Sequence, residues 1–447
     1  MGGPGLHLDD LKNNGPKRGN PTDRPRKTNE NQRERYPMFV KRLALAGAVS
    51  VAATAAYADG HASCDWENTT EVTMLSAAFE AWMAVTDGMA ACGNFAPELD
   101  QEFRTKQPEG FAASPSLYAL GGVSNGTITP LLNQDTIRPL DDLIAAHGDS
   151  LTPNQLIQID GQTMAVAMMV NVQHLMYRED ILADLGIETP STWEEVLTAA
   201  ETIQEAGVVD YPLGGTMKAG WNIAQEFVNM FSGFGGDFVN DDNTPNVNTE
   251  AGLASLDMMM RLTEYMDPEF LVSDSTYVQQ QFQQGSIAMA NLWASRGGAM
   301  DDEAESQVVG LVASAAAPLA VDGGPPATTL WWDGIVVAAN ITDEEADNAF
   351  RLAMEGIDSE TVAAAPDAAI WLIEGYEPND MAAGAIASAT ANPAPPAYPS
   401  TTQMGLMHTA LGNELPAFFT GDVSAEEALA AVEAAYTVAA QEAGLLE

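Results

Sequence analysis

Five consecutive segments decide the architecture: Glu71-Val-Thr-Met-Leu75, Phe79 to Ala91, Gly93-Asn-Phe-Ala96, Pro97 to Lys106 and Ser116 to Leu120. The first, third and fifth are short and β-like. The second and fourth predict helices, the fourth with Pro97 in the first turn, where its missing N–H costs little. A β-α-β-α-β run predicts an α/β fold, with parallel strands and helices on the sheet faces. The pattern continues downstream. Three capping boxes, Thr192-Trp-Glu-Glu195, Thr342-Asp-Glu-Glu345 and Ser424-Ala-Glu-Glu427, mark helix starts. Gln162 to Asn171 and Gly334 to Ala339 read as strands. Ala391 to Pro399 reads as an irregular surface connection. Trp193 reads as a structural staple, Trp371 as core in an apolar helical stretch, and Met258-Met-Met260 as helix core. No internal repeat is visible.

Upstream of these segments the composition changes twice. Residues 1–37 are rich in Pro, Gly, Asn, Lys and Arg, and are expected to be disordered, an extension ahead of the true start. Met38-Phe-Val-Lys41-Arg42, an apolar run from Leu43 to Ala56 and the small-x-small Ala56-Tyr57-Ala58 describe a signal peptide, 38–58, cleaved after Ala58. The apolar run is about 14 residues, short of the roughly 20 that span a bilayer. The expected location is the periplasm.

Residues 59–447 hold 58 of the 63 acidic residues and 8 of the 18 basic ones. Such a surface repels nucleic acid, whose phosphates need Lys and Arg. Cys64 and Cys92 are the only cysteines. In an exported protein an even count predicts a disulfide. Cys64 precedes the first strand and Cys92 ends the helix that returns antiparallel to it. Both should lie at the sheet end opposite a ligand. No lipobox leads into Cys64.

Several segments, in order, resemble one family. They are Ser124-Asn-Gly-Thr-Ile-Thr-Pro-Leu-Leu-Asn133, Ile137-Arg-Pro-Leu-Asp-Asp-Leu143, Ile159-Asp-Gly-Gln-Thr-Met-Ala-Val-Ala167, Leu175-Met-Tyr-Arg-Glu-Asp-Ile-Leu182, Gly186-Ile-Glu-Thr-Pro-Ser-Thr-Trp-Glu-Glu195, Gly235-Gly-Asp237 and Phe282-Gln-Gln-Gly-Ser-Ile-Ala-Met289. The series resembles the carbohydrate class of bacterial extracellular solute-binding proteins, over essentially all of 65–447. The resemblance implies a non-enzymatic, two-lobed periplasmic binding protein fold, each lobe a sheet flanked by helices, joined by hinge strands. Carried over by position, lobe one is 59–171 plus 334–380 and lobe two is 172–333 plus 381–447. The implied partners are a small sugar-like ligand and the permease subunits of an ABC importer, with the protein itself a monomer and no cofactor or metal. One departure stands out. The stretch between the first helix and the third strand is shorter than usual and lacks the family's common proline-glycine before strand two.

A sugar offers apolar C–H faces and a rim of hydroxyls. Tryptophan suits the faces; Asp, Asn, Gln and Arg suit the rim. Trp221, after the Gly-rich Gly214 to Gly220, and Trp293, after a strand-like run, fall where the resembled family places ligand contacts. Trp331-Trp332-Asp333-Gly334 falls at the second crossing. Strand alternation predicts that one of Trp331 and Trp332 faces the ligand and the other points away. Arg296 lies close to Trp293 in sequence. Trp82, Glu80, Ser124, Asn125 and Gln173 complete the candidates, Trp82 being equally suited to core packing. No nucleophile elbow, P-loop or His-Glu-x-x-His motif occurs, and His61, His147, His174 and His408 lack ligand spacing. Three alternatives stand beside the sugar reading. They are a polyamine ligand held by acids and Trp faces, a glycoside hydrolase with two carboxylates, and a structural surface protein.

Overall fold

The computed structural model describes Cys64 and residues 66–447. The expected signal peptide, the segment before it and the cleavage point lie outside the described residues. Among the described residues, no helix is long and apolar enough to cross a membrane.

The chain builds β1 (Val72–Ser76), β2 (Phe95–Leu99), β3 (Leu120–Ser124), β4 (Leu156–Ile159) and β5 (Gln162–Asn171). It then forms β6 (Gln173–Arg178), β7 (Tyr211–Gly214), β8 (Ile287–Trp293) and β9 (Val312–Ala315). Last come β10 (Trp331–Val337) and β11 (Ile370–Trp371). The middle group forms one sheet, ordered β7-β8-β6-β9. The others form a second, ordered β11-β5-β10-β3-β1-β2, with β4 also on β5. Only Val172 separates the end of β5 from the start of β6, so the chain passes between sheets within one residue.

The sheet that holds β1, the first sheet in chain order, corrects the expected parallel sheet. β1, β2 and β3 are parallel, but β10 enters antiparallel beside β3 and β5. The β-α-β rule reads only consecutive strands, and β10 arrives from far along the chain. Strand two also corrects the expected helix start: β2 runs through Pro97, paired with Met74. It is an edge strand, where a residue without an N–H is tolerated. The helix begins later, at Phe103, and runs to Ala112. β3 begins at Leu120, where the sequence reading had it end. Trp371 is buried as expected, but in the short strand β11.

Helix α1 (Glu80–Ala90) shows why the first lobe holds. Ala81, Trp82, Val85 and Met89 recur at helical spacing and are buried. They join Leu352, Phe350, Ile335 and Trp371 in one apolar cluster. A second cluster fills the other lobe around Val196, Phe227, Phe231, Leu256, Leu411 and Tyr436. The three capping boxes form as the sequence predicts. Cys64 and Cys92 are bridged, with Cα atoms 5.2 Å apart. The bridge sits ahead of β1 and β2, at the N-terminal ends of the parallel strands.

Candidate ligand-binding cleft

A cleft of about 760 Å³ opens between the two sheets. On the first-sheet side it is lined just beyond β1 (Ala77, Phe79), just beyond β2 (Gln101 to Thr105) and at the last residue of β3, Ser124. On the other side it is lined beyond β7 (Lys218 to Asn222) and at the end of β8, Trp293. Ligand clefts of open α/β sheets lie at the carboxyl ends of strands, and this one does. The disulfide is at the opposite end of its sheet.

The floor is aromatic. Trp331 and Trp293 are only 5% and 9% exposed. Trp221 stacks on Trp293 with centroids 6.4 Å apart, and meets Trp331 edge-on at 5.7 Å. Tyr398 lies against Trp331 at 4.2 Å. Two glycines make this possible. A Cβ on Gly126 would stand 2.8 Å from the Trp331 ring. Gly220, at φ +94°, turns the chain into the helix Trp221–Gly233. His408 stacks on Trp221 at 5.1 Å. Burial pushes its pKa down to about 4, so the ring is neutral at physiological pH. Its Nε2 donates to the Trp221 carbonyl at 3.0 Å, leaving Nδ1 to accept from the Tyr398 hydroxyl at 3.0 Å.

Beneath the floor runs a chain of hydrogen bonds. The Trp331 indole donates to Thr329 Oγ1 at 3.0 Å, and Thr329 donates to Asn229 Oδ1 at 2.9 Å. Asn229 donates to Gln173, and Gln173 Nε2 donates to Glu226 Oε1 at 2.8 Å. Desolvation holds Glu226 up at about 7, against the pull of its Thr216 and Gln173 hydrogen bonds.

The walls are polar. Arg104 stands on the first-sheet wall with its guanidinium carbon 4.5 Å from the Trp221 ring across the cleft, a cation–π contact. The side chain stays open to solvent, yet the walls crowd it enough to lower its pKa to about 10, with Asp333 and Glu102 opposing that shift. Asp333 is held up at about 7 by desolvation, opposed by Arg104 and by a hydrogen bond from the Trp82 indole. Arg296 donates to Gln279 Oε1 at 3.0 Å and to Thr276 Oγ1 at 3.4 Å. Asn171 donates to Ser295 Oγ at 3.1 Å, tying one sheet's end to the other's.

The structure thus brings together six of the residues singled out from sequence: Trp221, Trp293, Trp331, Asp333, Arg296 and Ser124 all line the cleft. The other five stand outside its lining. Trp82 is core beneath Asp333. Trp332 packs on the far face of β10, against the cluster of Phe111, Val123 and Val336. Gln173 is in the network under the floor. Asn125 is buried and donates to the backbone of Leu330 and Tyr398. Glu80 is exposed at the start of α1. Sequence reasoning missed Arg104, Lys218, Asp274 and Tyr398. Arg104 carried a signal, scarcity of bases, but the misplaced end of β2 put it in mid-helix. Tyr398 lies in the segment read as surface connection. That segment is irregular, but it delivers a buried ring.

The sequence profile described as bacterial extracellular solute-binding protein matches residues 113–358, more than half of the chain. No curated protein sequence matches significantly. Among solved structures, an ABC transporter solute-binding protein from Agrobacterium radiobacter in complex with ribitol is similar, with TM-score 0.73 and 19% identity over 84% of this chain and 99% of that one. One from Agrobacterium vitis with bound D-mannitol gives TM-score 0.72 and 19% identity, with the same coverage. A maltose-bound protein of T. maritima gives TM-score 0.67 and 17% identity, over 83% of this chain and 99% of that one. These likenesses establish the two-lobed fold with hinge strands, and the profile match establishes descent: this chain belongs to the bacterial extracellular solute-binding proteins.

Proposed function

We propose that this chain is the periplasmic, ligand-capturing component of an ABC-type importer, holding a sugar or polyol in the cleft between its lobes and passing it to the membrane permease. The observation that carries the reading is the aromatic floor. Trp221, Trp293 and Trp331 converge on one cleft, ringed by amide, hydroxyl and guanidinium groups. Ring faces and hydrogen-bonding rim are the two halves of sugar recognition. The similar structures with ribitol, D-mannitol and maltose support the ligand class. Membership of an extracellular family supports export, with the signal peptide at 38–58 and cleavage after Ala58 as its route. We assign lobe one to 59–171 plus 334–380 and lobe two to 172–333 plus 381–447. The protein acts as a monomer and without catalysis.

The polyamine reading is disfavoured because the cleft holds as many bases as acids, Arg104, Lys218 and Arg296 against Glu102, Asp274 and Asp333. The test is a thermal-shift screen across sugars, polyols, polyamines and amino acids. A ligand that binds the native state raises its stability with the logarithm of concentration over Kd. A sugar or polyol should shift the midpoint, without turnover. A shift by polyamines alone, or cleavage of an oligosaccharide, would overturn the reading.

A further inference from the structure

Residues 59–447 carry eight basic side chains against fifty-eight acidic ones. With carboxylates so abundant, a base should find an acidic partner almost anywhere on the surface. Five do: Lys106, Arg138, Arg178, Lys218 and Arg261 each form an ion pair. Arg351 lies over the Trp66 ring at 4.0 Å. Two bases remain, Arg104 and Arg296, and neither forms an ion pair among the described residues. Both line the same cleft.

Their surroundings sharpen the point. Arg296 reaches only neutral acceptors, Gln279 and Thr276, with two of its five N–H donors. Arg104 lies over the Phe103 and Trp221 rings, at 4.7 and 4.5 Å, and no hydrogen bond of its guanidinium to protein is formed among the described residues. None of the three acids lining the cleft forms an ion pair with either arginine; Asp333 and Glu102 act on Arg104, and Asp274 on Arg296, through space only. Asp274 pairs with Lys218 at 3.2 Å and caps the Tyr277 N–H. Asp333 accepts from Trp82. Glu102 is exposed on the rim. Glu80 acts on Arg296 from a distance, outside the lining. The cleft lining thus balances three bases against three acids, inside a chain with about seven acids for each base.

A guanidinium with free N–H groups in a narrow cleft favours a planar oxyanion, to which it can donate two parallel bonds. The adjoining Trp221 and Trp293 faces suit a pyranose ring. We propose that the ligand of this cleft is an acidic sugar, a uronic acid or its short oligomer, whose carboxylate is taken by Arg104 and Arg296 while its C–H face lies on the tryptophans. The proposal rests on the sugar-capture reading and narrows it to one charge class.

The experiment is a calorimetric titration with D-glucuronate, D-galacturonate and their di- and trisaccharides. Each is set against its neutral counterpart, with D-mannitol, ribitol and glucose 6-phosphate alongside. The acidic member should bind at least about tenfold tighter than its neutral partner, the ratio a charge-assisted bond provides. That preference should shrink as salt is raised, while neutral binding barely responds. Arg296→Gln and Arg104→Gln should each erase most of the preference at unchanged thermal midpoint, and Arg104→Lys should keep part of it. Equal or tighter binding of the neutral sugars would overturn the acidic class and leave sugar capture standing. Tighter binding of the sugar phosphate would overturn the carboxylate. Silence from every sugar, acidic and neutral, would overturn both readings.

Discussion

The two walls of the cleft are built differently. On the lobe-two side, Trp293 and Trp331 belong to the same apolar cluster as Phe227, Phe231 and Tyr436, so the cleft surface there is the outer face of a hydrophobic core. On the lobe-one side, the surface is the loop after β2 and the first turn of the next helix, with Glu102, Arg104 and Thr105 exposed. One wall is positioned by dense packing, the other by backbone geometry. On the proposed reading, rings held rigid by a core would supply shape and loop-borne charges would supply selectivity.

Substitutions can test this contrast, and the largest effect should come from the floor. Trp331→Ala removes a ring packed between Tyr398, Trp221 and Trp293, and should cost about 3–5 kcal/mol of stability as well as ligand affinity. Urea unfolding checks the first and calorimetry the second. A stable variant would show that the floor is not continuous with the core.

Removing the bridge by replacing Cys64 and Cys92 together with Ser acts on lobe one alone. For a sequence separation of 28 residues the chain-entropy estimate is about 3–4 kcal/mol, an upper value because strain reduces it. Ligand affinity should not change, because the bridge lies at the far end of its sheet. An altered affinity would mean that the N-terminal unit communicates with the cleft.

Smaller effects should separate the walls themselves. Trp221→Ala is expected to weaken ligand binding about tenfold, through a lost stacking face, with the fold retained. Phe79→Ala, on the opposite wall, should weaken it only about threefold. A reversed ranking by calorimetry would mean that lobe one, not lobe two, holds the ligand's apolar face.

The subtlest test concerns the network under the floor. Glu226 has a folded pKa of about 7, above its ordinary 4.5. The folded state therefore holds this proton more tightly than the unfolded state. Its contribution is full below about pH 4.5 and is lost as pH rises through about 7. Glu226→Gln should flatten part of the decline in unfolding midpoint between pH 5 and pH 8. An identical slope in both proteins would remove Glu226 as its source. Asp333, shifted the same way, remains in both.

The same contrast explains what the sequence revealed. Capping boxes are local chemistry, and all three were legible. Trp221 and Trp293 were legible through the family resemblance, which places ligand contacts at those positions, and Trp331 through its place at the second crossing; all three line the cleft. Arg104 was not, because its place depends on how far β2 extends, and Pro97 pointed to a helix start. A proline is compatible with a helix's first turn and with an edge strand, and only the tertiary neighbour decides between them. Trp82 and Gln173 have the right chemistry for a site, yet lie one layer beneath it. Sequence spacing does not resolve depth of that order. Tyr398 was invisible for a related reason: its segment has no period, and its burial comes from the distant rings of Trp331 and His408.

Asn125 has a mechanical consequence. Its Nδ2 donates at 3.1 Å to the carbonyls of both Leu330 and Tyr398. Those two stretches also bond each other, Leu330 N to Pro396 O at 2.9 Å and Tyr398 N to Leu330 O at 3.0 Å, while Trp331 pairs with Asn171. Two proposed crossings, Asn171 to Gln173 and Leu330 to Asp333, therefore lie side by side, with the 396–398 stretch bonded along the second. A single tether would swivel like a ball joint. Two abreast, stiffened by a third bonded strand, would bend across their width but resist twist and slide, like the leaf of a door. A closing swing on such a leaf would return Arg104 to the same face of Trp221, where it stands 4.5 Å from the ring.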